Sequence, residues 1–182
     1  LVQMGIMTDA QLGYEKVLQL APGNYEAHNN LGSVLQDLGN IEEALPHHQK
    51  AIDLKPDFEL AYLNLASGLV QLERHQQALT VFNTCLKYCS SATIYHDLGT
   101  AFQQLGQMLD ARQAYLKAIE LDEKMGKSYR HLSEITKIDN NDNLDIKAII
   151  SAGFKVEGMS EESIMHLYYA WAKVNDGIKA YD

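Results

Sequence analysis

Between Tyr25 and Leu38 the apolar residues Ala27, Leu31, Val34, Leu35 and Leu38 fall at the 3.6-residue period of one helix face, with polar residues between them. The stripe predicts an amphipathic helix. The Gly39-Asn40 pair stops it, because Gly takes positive φ without a Cβ penalty. A second stripe, Ala44, Leu45, His48, Ala51 and Ile52, predicts a partner helix over 41–54. The alternation returns down the chain and predicts helices over 59–72, 75–88, 92–105 and 108–121.

The helix pairs are in phase. Leu31-Gly32, Leu65-Ala66, Leu98-Gly99 and Leu132-Ser133 recur at spacings of 34, 33 and 34, and Ala10, Ala44, Ala78 and Ala111 at 34, 34 and 33. Three residues before each Leu stands a ring (His28, Tyr62, Tyr95, Tyr129), and four after each Ala another (Tyr14, His48, Phe82, Tyr115). A small or medium residue follows seven after the Ala (Val17, Ala51, Cys85, Ala118), and Pro22 and Pro56 close the first two units. Small Gly32 and Ala44 let two backbones approach, with His48 filling the gap beside them. This pattern over residues 1–138 resembles the tetratricopeptide repeat, a helix–turn–helix unit of about 34 residues with a W-x2-L-G-x2-Y…A-x3-F…P order. The resemblance implies an all-α fold, a right-handed superhelix or α-solenoid of antiparallel helix pairs. No unit can bury its stripe alone, so each is expected to pack on its neighbour.

The expected organisation is a partial first repeat over 1–24 (the end of one helix plus a second), repeats over 25–58, 59–91 and 92–125, and a degenerate repeat-like region over 126–182. In that last region a first helix is predicted over 126–136. Asp139 to Asn143 then forms a polar loop suited to turns and caps, followed by a short helix over 144–151 and a loop over 153–158. Ser160 is a helix start, and 164–174 is strongly apolar. Trp171-Ala172 stands where a Leu-Gly pair would, with Lys179-Ala180-Tyr181 resembling the start of another helix. Leu1 is not an initiator Met and no signal segment follows it, so a piece of a longer protein is expected, with the cytoplasm as default compartment.

Two narrower resemblances bear on function. Lys55-Pro56-Asp57-Phe58, Asn64-Leu65-Ala66 and 114–120 (Ala-Tyr-Leu-Lys-Ala-Ile-Glu) resemble the peptide-binding superhelix of O-linked N-acetylglucosamine transferases. The stretch from His131-Leu132-Ser133 to Ala180 resembles bacterial repeat proteins that carry a sulfotransferase domain downstream. In the transferases the residue before the Leu belongs to an asparagine ladder gripping a peptide backbone. Here that position holds Asn30, Asn64, Asp97 and His131. An Asn amide both donates and accepts, so it matches a peptide unit in both directions. An ionised Asp97 only accepts, which favours a basic side chain, and His131 departs from the pattern. Flanking them are Asn29, His96 and Arg130 on one side and Ser33, Ser67 and Thr100 on the other. The plainer alternative is that such side chains are solvated or cap nearby backbone.

Composition narrows the field. A 46% hydrophobic chain of 182 residues is too apolar for disorder, and no apolar run reaches the ~18 residues of a membrane span. Fifteen Lys and Arg against 24 Asp and Glu give a net charge of −9, a poor match for phosphate backbones. Two cysteines support neither a disulfide framework nor a four-ligand zinc site. Cys85 and Cys89 share a helix face, but Cys85 holds the small packing position. His47 and His48 are adjacent and cannot both face one metal. Gly126-Lys127-Ser128 resembles the end of a phosphate loop without its leading Gly or preceding strand. Lys127, Arg130 and Lys137 are too few cations for a carboxylate clamp. No metal and no cofactor are expected, and the rings at Tyr62, Phe82, Tyr95, Phe102, Tyr115 and Tyr129 read as packing. The expectation is therefore a non-catalytic scaffold for an extended peptide or a partner helix, with no nucleic-acid or membrane partner. The alternatives are a substrate-recruiting region of a larger sulfotransferase or glycosyltransferase, and a module that self-associates through exposed repeat ends.

Overall fold

A computed structural model describes residues 2–135 and 142–179, with side chains over 6–135 and 146–175. The fold is all-α. Ten helices and no strand occur among the described residues, in two compact units, Leu1–Ser90 and Ser91–Asp182.

The first unit holds α1 (Val2–Leu20), α2 (Tyr25–Asp37), α3 (Ile41–Leu54), α4 (Glu59–Gln71) and α5 (His75–Cys85). Consecutive helices pack on one another, and α2 also lies against α4. The end of one helix and the start of another expected within residues 1–20 form instead one unbroken helix, which runs through the isolated Gly5 and Gly13. Asn24 starts α2 by accepting from the Ala27 N–H at 2.9 Å. Leu31, Leu35 and Ala44 form a buried cluster on which Tyr14 and Leu18 of α1 rest. The turn after α2 carries Gly39 at φ 85°; its equivalents 34 and 67 residues on are Glu73 at 58° and Gly106 at 74°.

Close approach of paired helices is achieved as the sequence implies. A Cβ on Gly32 would lie 2.7 Å from the His48 ring, and one on Gly99 would lie 2.7 Å from that of Tyr115. In the repeat between them, Ala66 and Phe82 are both buried.

The second unit holds α6 (Ala92–Gln104), α7 (Met108–Leu121), α8 (Gly126–Ile135), α9 (Asp142–Gly153) and α10 (Glu161–Lys179). Ser91 caps α6 through the Ile94 N–H, and Ser160 caps α10 through that of Ser163. The main packing partner of α8 is α10, not α9, the next helix along the chain. A Cβ on Gly126 would run into the Ser163 backbone, so α8 and α10 meet where both begin. Tyr129 and Leu132 of α8, Ile146 and Ile150 of α9, and Leu167, Ala170 and Val174 of α10 form one core with Ala111, Tyr115 and Ile119 of α7. Lys179 lies at the end of α10, not at the start of a new helix. The polar segment 139–141 and Ala180-Tyr181 lie outside the described residues. No helix among the described residues is long and apolar enough to cross a membrane.

Candidate functional site

In the first unit, two helical faces bring the predicted residues together. Asn29 projects from α2 into the interior (1% exposed), and its Oδ1 lies 3.1 Å from Nδ1 of His48. The His48 Nε2 lies 2.9 Å from Gln36 Oε1. Asn64 of α4 donates both hydrogens of its amide nitrogen, to Asn29 Oδ1 at 3.0 Å and to Ser33 Oγ at 3.1 Å. Ser33 donates to the Asn29 carbonyl and Gln36 Nε2 to that of Asn64. Burial, with His47 adding to it, lowers the His48 pKa to about 4, so the ring is neutral near pH 7.

An equivalent network stands 67 residues further on, within the second unit. His96 replaces Asn29, Thr100 replaces Ser33, Gln103 replaces Gln36, Tyr115 replaces His48 and His131 replaces Asn64. The Tyr115 hydroxyl donates to Gln103 Oε1 at 2.8 Å and lies 3.2 Å from Thr100 Oγ1 and 3.0 Å from His131 Nδ1. His96 Nδ1 lies 2.9 Å from Ser128 Oγ, so Ser128 belongs to packing and not to a phosphate loop. Burial lowers the His96 pKa to about 4, with His131 contributing, and pushes Tyr115 up to about 12. In the intervening repeat these positions hold Leu63, Val70 and Phe82, which cannot form such a network.

Of the other predicted residues, Asn30 and Asn64 are half-buried, and the Asn30 side chain makes no hydrogen bond among the described residues. Asp97 is half-buried too, and desolvation raises its pKa to about 6 against the opposing pull of Lys127. Ser67 is exposed and accepts from Gln71. Arg130 donates to Glu134 at 3.0 Å and lies over the Tyr169 ring at 4.7 Å. Asn29 and His96 are buried, so they support neighbouring side chains instead of facing solvent. The sequence pattern marks His48 and Tyr115 as gap-filling rings and does not single out Gln36 and Gln103. The signal available was a Gln four residues after each Gly, present only in the two repeats whose ring carries a polar tip.

The packing role of the rings holds for Tyr62, Phe82, Tyr115 and Tyr129, all buried. Tyr95 and Phe102 are half-buried and line an open cleft of about 320 Å³ with Asp110, Gln113 and Lys117. The Cys85 and Cys89 sulfurs lie 3.3 Å apart, with Cys85 buried and its thiol pKa pushed up by that burial. Among the described residues no three His, Cys, Asp or Glu side chains gather as metal ligands.

Family models described as tetratricopeptide repeat match residues 25–58 and 57–124, together more than half of the chain. The sequence is 26% identical over 137 residues to the UDP-N-acetylglucosamine–peptide N-acetylglucosaminyltransferase of Giardia intestinalis, covering 75% of this chain and 7% of that protein. The chain spans less than a third of the length of the curated relatives it matches. Among solved structures, MamA superposes with a TM-score of 0.67 at 22% identity, over 96% of this chain and 92% of that one. YrrB, described as a TPR protein with an unusual peptide-binding site, gives 0.67 at 17% identity, over 91% and 89%. At these identities the structural likeness speaks for the fold. In-phase helix pairs, glycine-seated rings and the family match together make this chain a member of the tetratricopeptide repeat family.

Proposed function

We propose that the chain is a non-catalytic protein-interaction scaffold that holds an extended peptide or a partner helix along the face of the first unit bearing Asn30 and Asn64, with Asp97 a separate contact point on the second unit. Tetratricopeptide repeats support an interaction role in general; the peptide and its contacts are the proposed part. The observation that carries it is the division of labour at Asn64. Both its N–H groups are held by Asn29 and Ser33, which fixes the half-exposed amide with its oxygen as the remaining acceptor. One repeat earlier, Asn30 keeps donor and acceptor capacity together. A peptide N–H would bond to Asn64 Oδ1, while Asn30 would serve one peptide unit in both directions. In the second unit Asp97 would receive a Lys or Arg, whose charge offsets the cost of an ionised, half-buried carboxylate.

Pull-down with the intact protein, followed by peptide mapping, supplies the ligand. Replacing Asn30 and Asn64 together by Ala should then weaken its binding by about 10- to 100-fold, at roughly 0.5–1 kcal/mol for each of the three lost hydrogen bonds. Unchanged affinity would refute the groove. A role as the substrate-selecting part of a larger transferase is compatible with this reading and is favoured by the likeness to the Giardia enzyme. Self-association is a separate reading, favoured by exposed apolar residues on α1 (Ile6, Leu12, Leu20) and α10 (Ile164, Met165, Tyr168). Light scattering at high concentration separates the two, since a strict monomer removes self-association and leaves peptide binding untouched.

A further inference from the structure

At the register three residues before the Leu, the ring tip ties down the preceding turn in three repeats. Tyr62 and Tyr129 donate their hydroxyls to the carbonyls of Pro56 and Glu123, six residues earlier, at 3.1 and 3.2 Å. In the first full repeat His28 does the same through Nε2, 3.1 Å from the Pro22 carbonyl. A carbonyl can only accept, so Nε2 carries the proton and the neutral ring presents a bare lone pair at Nδ1. No tyrosine at this register has a second ring atom of that kind. The His28 Nδ1 faces Nδ1 of His47 on α3 at 3.2 Å. The positions equivalent to His47 hold Val81 and Ala114, so packing of a helix pair requires no imidazole there.

Two ring nitrogens 3.2 Å apart, each about 2.0–2.1 Å from a shared ion, subtend an angle of about 100° at that ion, near tetrahedral. The Pro22 carbonyl behind His28 is the outer partner that metal-bound imidazoles usually have, fixing the tautomer and the ring plane. Both histidines line an open cleft of about 490 Å³ between α1, α2 and α3, together with Glu15, Gln19 and Glu43, giving room for water ligands and a negative surround. Imidazole nitrogen suits zinc, copper and nickel, whereas calcium and magnesium select oxygen. We infer that His28 and His47 form a two-histidine site for a divalent first-row transition-metal ion, bound through Nδ1 of both rings and completed by water. Without the ion, His47 donates Nδ1–H to His28; on binding, that proton moves to His47 Nε2, so the neutral rings release no net proton.

The test is calorimetric titration of the intact chain with zinc and with copper(II), in a buffer that does not chelate. One ion per chain is expected, with copper bound more tightly than zinc. The informative variants carry the residues of sibling repeats, H28Y and H47V, because those residues already pack at these registers. Each should lower the affinity by more than tenfold, while His166→Gln, a histidine of the other unit, should leave it unchanged. Nitrogen-15 imidazole spectra of the unaltered protein give a second readout, with zinc shifting Nδ1 of both rings. The site is refuted by absence of saturable binding, by affinity that survives both substitutions, or by shifts confined to other histidines. Should either variant fail to fold, the spectra decide alone.

Discussion

His48 sits between two acceptors, Asn29 Oδ1 and Gln36 Oε1, and a neutral imidazole has one proton to give. Protonation would serve both acceptors, yet desolvation wins and holds the pKa near 4, as it does for His96. Both folded values lie below the unfolded value of about 6.5. The stability these rings contribute is therefore complete above pH 6.5 and lost as pH falls toward 4. Chemical denaturation at pH 7 and 4.5 should show this loss, and His48→Gln should shrink the difference between the two pH values by about 2–3 kcal/mol. Asp97 has the opposite sign. Its pKa is raised to about 6, so stability is greatest below the unfolded value of about 3.9 and falls as pH rises through 6. Asp97→Asn should stabilise the protein at pH 7.5 by about 1–3 kcal/mol and change little at pH 3.5. The same substitution should weaken binding of a basic side chain at Asp97, so stability and binding should move in opposite directions.

Glycines in the helices separate propensity from packing. Gly13 has nothing within 4 Å of where a Cβ would stand, so Gly13→Ala should stabilise α1 by about 0.5–1 kcal/mol. Gly32→Ala gains the same propensity but drives a Cβ into the His48 ring, which Asn29 and Gln36 hold from both sides. Overpacking there costs about 1–3 kcal/mol and should win, lowering the thermal midpoint. Gly126→Ala should be worse, because its obstacle is the Ser163 backbone, which cannot swing aside as a side chain can. The turn series offers a gain. Glu73 occupies the left-handed conformation that Gly39 and Gly106 hold at equivalent positions, at a cost of about 1–2 kcal/mol for a residue with a Cβ. Glu73→Gly should therefore raise the midpoint. A fall would mean that the Glu73 side chain contributes more than its backbone strain removes. These elements were legible from the chain, since anchor Leu, small residue and ring obey a period fixed by helix geometry. The pairing of α8 with α10 was not, because chain order suggests α9, whereas Gly126 closes on the Ser163 backbone and Arg130 lies over the Tyr169 ring.

For the molecule as a whole, a net charge of −9 sets the long-range field. A basic ligand should associate faster at low salt, and raising ionic strength from 0.02 to 0.5 M should slow association more than it speeds dissociation. Surface-plasmon kinetics across that range check this, and salt-independent association would argue for an apolar partner helix instead. Recognition spread over repeats also predicts that single substitutions weaken binding in modest steps, without one dominant residue.

The amino-acid sequence by itself determined the family, the helices between Tyr25 and Leu121 and the seating of His48 and Tyr115 against Gly32 and Gly99. Those features follow from periodicity and side-chain size, which need no knowledge of distant neighbours. Only the tertiary structure decided where the polar tips go: Asn64 onto Asn29 across 35 residues, His28 onto His47 across 19, Tyr115 onto His131 across 16. A hydrogen bond depends on tenths of an ångström and on which way a ring faces, and both are set by how neighbouring helices rotate against one another as they pack.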